Sequence, residues 1–291
     1  MWAQSLQHPM AVHWRAANPD LVLSRYIVSI EDDLGNARDN CSLRHRGNAS
    51  VERRAGVQCA LDWFERHHPE WVLYACDRKT PAWFMGIPGG HRKGDVVSTS
   101  NINIPLDFSN GDVIGWQIES FVKPALAQGA DAIALDNFGL VSGINENYQN
   151  ACGVWKGRGE DRHWVQLYDG LRDNGTKGSI VDPRYTDACL FWMSEFYDRV
   201  RALNASHPPL VIPNFSLEDI YDPYTCANER GDGTECAWNS EAMFVMGNHT
   251  DGLLSEAGFT AFGTRLVDGS EWYNKIMLML NLQRHGKAYM S

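Results

Sequence analysis

Short apolar runs that end in polar residues recur along this chain and alternate with longer amphipathic stretches. Six such runs are evident, at residues 21–30, 71–77, 132–138, 210–216, 252–259 and 288–291. Their length and their aliphatic content are typical of buried strands. Alternation of such runs with helical patterns is typical of βα units with parallel strands, and it predicts an α/β fold.

Five amphipathic stretches predict helices, at residues 8–17, 50–67, 111–129, 185–204 and 270–285. The strongest pattern lies in 185–204, where apolar residues recur every three or four positions. Pro124 predicts a kink in the third helix, because proline lacks the amide hydrogen that a helix interior requires. Gly286 stands where a helix C-cap is expected.

No linker, low-complexity tract or internal repeat is evident, so residues 1–291 are interpreted as a single domain. Repeated βα units in a chain of this length fit a (β/α)8 TIM-type barrel. Such a barrel needs eight strands, whereas six runs are visible. We therefore expect an incomplete barrel, with the first and last strands unclear, or a fragment of one. Residues 139–183, rich in glycine, asparagine and charge, are interpreted as one long loop.

Polar residues that end the apolar runs are the candidates for chemistry, because barrel sites form at the carboxyl ends of strands. Asp77, Asp136, Asn214 and Glu256 hold such positions. Strand alternation predicts that Asp136 and Glu256 both point into the barrel mouth. Carboxylates on strands separated by one other strand start about 9.5 Å apart at the backbone and converge through their side chains. That arrangement suits the carboxyl pair of a glycoside hydrolase.

Several segments together resemble a known enzyme family. They are DFSNGDVIGWQ, ADAIALDNF, VIPNFS, DGLLSEAGF and the strand LQRHGKAY, within residues 20–291. These segments resemble TIM-barrel glycoside hydrolases related to glycoside hydrolase family 114, the endo-α-1,4-polygalactosaminidase type. One departure is Ala132, which stands where that family commonly has glycine. The resemblance implies an Asp after the fourth barrel strand and a Glu after the sixth, which correspond here to Asp136 and Glu256.

The resulting hypothesis is a glycosidase in which Asp136 is the nucleophile and Glu256 is the general acid/base. Glu256 then needs a raised pKa, because it must hold a proton near neutral pH. Five further residues are predicted to bind the sugar by hydrogen bonding or stacking: Tyr26, Asp77, Trp83, Asn137 and Asn214. For Asp77 and Asn214, an equal alternative is a strand-end residue that accepts hydrogen bonds from loop amides. Core packing is the alternative for Trp83.

Composition narrows the expected partners. The net charge of −10 repels phosphate backbones, so nucleic acid is not an expected partner. No stretch of 18 apolar residues occurs, so no membrane span is expected. The 11 Trp, 10 Tyr and 11 Phe offer flat rings on which a sugar stacks. A polysaccharide or oligosaccharide substrate is therefore expected, and the oligomeric state stays open.

Motifs for metal, cofactor or nucleotide chemistry are not evident. The chain contains no C-x-x-C pair, H-E-x-x-H motif, P-loop or G-x-S-x-G elbow, so no metal and no cofactor are expected. His45-Arg46-Gly47 resembles the H-R-G motif of metal-dependent glycerophosphodiester phosphodiesterases, although here it follows a polar segment. That activity is one alternative function. A catalytically inactive, carbohydrate-binding barrel is the other.

Sequons favour an extracellular or secretory-pathway protein. Six N-x-[ST] sequons occur, at Asn40, Asn48, Asn174, Asn204, Asn214 and Asn248. Chance alone predicts about two at this composition. No signal peptide is visible at the start of the sequence, which indicates that it was removed or that the chain is a fragment. Cys226 and Cys236, two of seven cysteines, form a surface disulfide in one interpretation and stay unpaired thiols in the other.

Overall fold

The structure is a computed structural model of the chain. It describes residues 2–3, 9–28, 31–33, 42–43, 57–58, 61–79, 82, 103–136, 151–169, 183–214, 244–245, 247–254 and 269–290.

A parallel sheet forms the centre of the described structure. Its strands lie in the order β1 (Trp2–Ala3), β2 (Ser24–Val28), β8 (Ala132–Asp136) and β11 (Leu210–Pro213). Two more strands, β12 (Gly252–Leu254) and β13 (Ala288–Met290), pair in parallel with each other. A parallel bridge between Asn214 and Leu254 joins this pair to β11. Six parallel strands thus follow one another in chain order.

The remaining strands of the described residues pair antiparallel. One sheet has the order β10 (His163–Gln166), β9 (Ala151–Lys156) and β6 (Tyr74–Ala75). Two smaller pairs consist of β3 (Glu31–Asp33) with β7 (Asn103–Pro105) and of β4 (Ser42–Leu43) with β5 (Val57–Gln58).

The expectation of a (β/α)8 TIM-type barrel is therefore wrong. In the described ranges the strands form one four-stranded sheet, one three-stranded sheet and three two-stranded pairs, some parallel and some antiparallel. They do not form a ring of eight strands. The run at 71–77 was expected between the runs at 21–30 and 132–138, but β2 pairs directly with β8. The second run instead supplies β6, which pairs antiparallel with β9 and is joined to it by the Cys76–Cys152 disulfide.

The prediction of one long loop over 139–183 is also wrong, because β9 and β10 form a hairpin there. Trp155 pairs with Trp164 across it, and Gly157 and Gly159 take positive φ values in the connecting turn. Residues 151–154 of β9 are a short, buried apolar run that the sequence analysis did not count, whereas β10 has only two apolar residues between polar ones, which is too short a run to predict a strand.

Six helices have described bounds: α1 (Pro9–Ala17), α2 (Leu61–His67), α3 (Gly111–Gln117), α4 (Lys123–Ala127), α5 (Pro183–Ala202) and α6 (Gly269–Arg284). Four predicted helices are confirmed, with α3 and α4 joined by a π-helical turn, Ile118–Val122, just before Pro124. The predicted helix at 50–67 is wrong at Val57–Gln58, which is a strand. Gly286, at φ 70°, follows α6 as the predicted cap, and the Lys287 N–H donates to the Leu282 carbonyl.

Helix α5 provides the largest part of the core. Trp192, Met193 and Phe196 are fully buried in one cluster with Ile133 of β8 and Val211 of β11. The Trp192 indole N–H donates to the Gln117 side chain of α3 at 2.8 Å, so the buried polar atom of the ring is satisfied. This packing holds one face of the parallel sheet against the helices.

Candidate functional site

The carboxyl ends of the central parallel strands bring three predicted site residues to one edge. Asp136 ends β8 opposite Val28, and Tyr26 lies opposite Ala134 two pairs earlier. Asn214 directly follows β11, and its N–H donates to the Leu135 carbonyl at 2.6 Å. Tyr26 and Asn214 are half-buried. The carboxyl ends of β2, β8 and β11 are thus neighbours in space.

Alternation along β8 is as predicted from the sequence. Ile133 and Leu135 belong to the core cluster that contains the helices, whereas Ala132 and Ala134 lie on the other face of the strand. By the same alternation, the backbone position of Asp136 belongs to the face of Ala134. The sheet face opposite the helices is therefore lined by small residues in β8.

Asp131 anchors the amino end of β8 to both neighbouring strands. Its N–H donates to the Leu23 carbonyl at 2.9 Å, and its carboxylate accepts from the Leu23 N–H at 2.8 Å. On the other side, the Leu210 N–H donates to the Asp131 carbonyl at 3.0 Å. Arg15 of α1 forms an ion pair with the same carboxylate.

Asp251 makes the same set of contacts at the amino end of β12. Its N–H donates to the Val211 carbonyl at 2.9 Å, and its carboxylate accepts from the Val211 N–H at 2.9 Å. The Ala288 N–H donates to the Asp251 carbonyl at 3.2 Å. Arg201 of α5 is the ion-pair partner, at 3.2 Å, and the Tyr197 hydroxyl also donates to Asp251.

The two strands therefore begin with one repeated anchor. In each case a carboxylate is bonded to the preceding strand and is paired with an arginine from the helix before that strand. The sequences that follow are DAIALDN and DGLLSEA, so Asp136 and Glu256 each stand five residues after their anchor. Strand β11 lies between β8 and β12. No repeat was predicted from the sequence, and the shared Asp-x-x-x-x-Asp/Glu spacing is the signal that would have found it.

The other predicted site residues divide into two groups. Glu256, Trp83 and Asn137 lie outside the described residues, as does the alternative His45-Arg46-Gly47 motif. Asp77 lies in the exposed turn after β6, not at the edge of the parallel sheet. Its carboxylate accepts the Lys79 N–H at 2.8 Å, the bond that the loop-amide alternative expects.

Two buried charged residues near the parallel sheet were missed by the sequence analysis. Burial lowers the pKa of Arg25, in β2, to about 10. Burial also raises the pKa of the Asp107 carboxyl, against the opposing effect of hydrogen bonds from Ser109. Asp107 lies just before α3, and its N–H donates to the Trp71 carbonyl at 2.6 Å. Neither ends an apolar run that would have identified it.

Cysteine and metal chemistry are limited in the part of the chain that the structure describes. Cys76 and Cys152 form a disulfide, and Cys189 is a buried cysteine of the core outside that disulfide. Cys226 and Cys236 lie outside the described residues. No group of three or more His, Cys, Asp or Glu side chains there is arranged to hold a metal ion. Among the described helices, none has the length and apolar character to cross a membrane.

Comparisons with known proteins leave the family open. No protein-family model matches the chain, and no curated protein matches it. The crystal structure of the uncharacterized protein lmo2446 from Listeria monocytogenes EGD-e aligns with a TM-score of 0.42 at 11% sequence identity. The alignment covers 96% of this chain and 18% of that chain, so this chain spans under a fifth of that protein.

Proposed function

We propose that the protein is a glycoside hydrolase in which Asp136 is the nucleophile and Glu256 the general acid/base. The observation that carries the proposal is the repeated anchor of Asp131 and Asp251. Because both anchors make the same backbone bonds, the two strands start in the same way, and both sequences have an acidic residue five positions later.

The separation of β8 and β12 supports a pair of carboxyl groups that acts on one glycosidic bond. With β11 between β8 and β12, the backbones of the outer strands are about 9.5 Å apart. Side chains that converge from that distance reach the range of catalytic carboxyl pairs, about 5 to 9.5 Å depending on the stereochemistry. One carboxylate attacks or activates water, while the other, kept protonated, donates to the leaving oxygen.

Tyr26 and Asn214 are the described residues proposed to bind the sugar. Asn214 directly follows β11 beside the carboxyl end of β8, and Tyr26 lies in β2 two positions before the residue opposite Asp136. Both side chains are half-buried, so each keeps a part of its surface towards solvent. An amide such as Asn214 both donates to and accepts from sugar hydroxyls, and a phenol ring offers an apolar face for stacking. Trp83 and Asn137 stay in the proposal as substrate-binding residues, whereas Asp77 is left out, because it lies in the turn after β6 and accepts the Lys79 N–H there.

An oxidising compartment fits this proposal. The Cys76–Cys152 disulfide is the type of bond that persists in secreted proteins. The asparagines of two sequons, Asn204 and Asn248, have exposed side chains. We therefore propose an extracellular or secretory-pathway location, with a polysaccharide or oligosaccharide as substrate.

The test is release of reducing ends from a panel of neutral, cationic and acidic polysaccharides. The variants are Asp136→Asn and Glu256→Gln, and the matched control is Asp187→Asn, an exposed acid of α5. We expect each site variant to lose activity by about a hundredfold or more, the usual contribution of a catalytic acid or base. The control is expected to keep wild-type activity.

Equal release by the wild type and both variants would reject the catalytic pair. If glycan binding persisted while no protein in the series released reducing ends, the carbohydrate-binding alternative would replace the hydrolase. Thermal unfolding of every variant separates a lost catalytic group from a lost fold.

A further inference from the structure

A pair of tryptophans lies half-exposed on the β9–β10 hairpin, away from the parallel strands. Trp155 and Trp164 are direct cross-strand neighbours, and their rings meet edge to face at 5.5 Å. The Trp155 indole N–H donates to the Arg78 carbonyl at 3.1 Å. The pair is therefore oriented by contacts to the turn after β6.

Each tryptophan carries an arginine on one ring face. The Arg162 guanidinium lies 4.5 Å from the centre of the Trp155 ring, and the Arg78 guanidinium lies 5.6 Å from that of Trp164. Both arginines are exposed, and neither forms an ion pair with any described residue. Because the N–H donors of a guanidinium lie in its own plane, an arginine above a ring face still presents a fork that fits an anion.

Three features hold this arrangement in place. The Cys76–Cys152 disulfide ties the turn that carries Arg78 to strand β9. Arg78 itself has φ 61°, a left-handed conformation that costs a non-glycine residue free energy and so points to a constrained role. Gly153 permits the close approach of the strands, because a Cβ there would lie 2.8 Å from the Trp164 ring.

The charge around the tryptophans opposes that of the whole molecule. The turn and the hairpin carry five cationic residues, Arg78, Lys79, Lys156, Arg158 and Arg162, against the acids Asp77, Glu160 and Asp161. The whole chain has a net charge of −10. Since charges farther apart than about 8 Å are screened at physiological salt, this local excess decides what binds there.

We propose that Trp155, Trp164, Arg78 and Arg162 form a binding site for an acidic polysaccharide. The arginine forks bind carboxylate or sulfate groups, and the indoles provide apolar surface for the sugar rings that carry them. This site is separate from Asp136 and Glu256, and the proposal does not rest on hydrolysis. Nucleic acid is disfavoured, because the five cationic and three acidic residues of the turn and hairpin leave too small an excess of positive charge to neutralise many closely spaced phosphates.

The test is to titrate the intact protein with each of four polymers and to monitor binding by tryptophan fluorescence and calorimetry. These are polygalacturonate for carboxylates, chondroitin sulfate for sulfates, dextran as a neutral polymer and a single-stranded oligothymidylate. The variants are Arg78→Gln with Arg162→Gln, and Arg162→Lys alone. Arg284→Gln, an exposed arginine of α6, is the charge-matched control.

We expect the wild type to bind one or both acidic polysaccharides and not dextran. Loss of the two arginines is expected to weaken that binding about tenfold or more, the usual effect of removing charged hydrogen bonds. Arg162→Lys is also expected to weaken it, because lysine keeps the charge but not the planar fork. Arg284→Gln is expected to bind like the wild type.

Several results would overturn the proposal. They are no binding of either acidic polysaccharide by the wild type, preference for the oligothymidylate, equal binding of dextran, or equal weakening by Arg284→Gln. Full affinity of Arg162→Lys would indicate a diffuse electrostatic surface and would also reject it. Near-ultraviolet circular dichroism of the coupled tryptophans checks that the variants keep the hairpin. Because binding is measured without turnover, failure here leaves the hydrolase proposal untouched, and the reverse also holds.

Discussion

The buried environment of Asp107 disfavours the charged form of its carboxyl group. Its side chain is almost completely buried, and burial raises the pKa of its carboxyl above the ordinary 3.8, although the Ser109 hydroxyl and N–H donate to it. Between the unfolded and the folded pKa, the folded chain holds a proton that the unfolded chain has lost. Stability therefore falls as pH rises through that window, and the loss persists above it.

Asp107→Asn is expected to remove this pH dependence. Asparagine keeps the oxygen that accepts from Ser109 but does not ionise. We expect the wild-type free energy of unfolding to fall above pH 4, by at most about 1.4 kcal/mol per pH unit for one proton, and the variant to show a flatter profile. Urea unfolding between pH 4 and 7 measures both. The control is Asp20→Asn, which changes an exposed acid. If the unfolding free energies of the wild type and Asp107→Asn changed with pH in the same way, the expectation would be contradicted.

At the scale of elements, the repeated anchor sets how the parallel strands join. Asp131 and Asp251 bond equivalent backbone groups of their neighbouring strands, but their exposure differs. The exposed fraction is 42% for the Asp131 side chain and 16% for the Asp251 side chain. Solvent screens an exposed ion pair, whereas a buried donor that loses its acceptor keeps its full desolvation penalty. The two anchors should therefore differ in energy despite their common geometry.

Alanine at each anchor tests this difference. Asp251→Ala removes the acceptor of the Val211 N–H and the ion-pair partner of Arg201, which keeps its bonds to the Pro208 and Pro209 carbonyls. We expect a loss of about 2 to 3 kcal/mol of unfolding free energy. Asp131→Ala also removes the acceptor of the Leu23 N–H, but it is expected to cost about 1 kcal/mol or less, because water reaches the exposed position of this carboxylate and replaces it as acceptor. The two variants serve as controls for each other in urea denaturation. Equal losses, or a larger loss at Asp131, would show that the anchors are not ranked by burial.

At the scale of the whole molecule, a covalent link connects parts of the chain that are distant in sequence. Cys76 and Cys152 are separated by 76 positions, and their disulfide joins the turn after β6 to β9. The N-terminal end of α5 contacts this region through the Arg184–Asp169 ion pair, and its C-terminal end pairs with the amino end of β12. The antiparallel sheet and the amino edge of the parallel strands therefore lie at opposite ends of α5.

Removal of this disulfide is expected to destabilise the molecule strongly. Chain entropy for a loop of this size gives roughly 4 kcal/mol, within the range of native disulfides. We expect the Cys76→Ser, Cys152→Ser double variant to unfold at lower urea concentration than the wild type. Cys189→Ala, at a buried cysteine outside the disulfide, is the comparison for loss of a cysteine alone. Equal midpoints for the wild type and the double variant would contradict a stabilising link.

The sequence by itself determined the local elements and part of the candidate site. The apolar periodicity of α5 and the alternation in β8 both report which face of an element is buried, and burial depends mainly on the residues of that element. The common spacing from Asp131 to Asp136 and from Asp251 to Glu256 was likewise readable along the chain.

Only the tertiary structure decided the partners of each strand. The run at 71–77 reads as one more parallel strand, but its antiparallel pairing with β9 depends on a hairpin that is distant in sequence and on a disulfide to a distant cysteine. Strand pairing is a long-range choice among similar apolar segments, and local pattern does not distinguish among them.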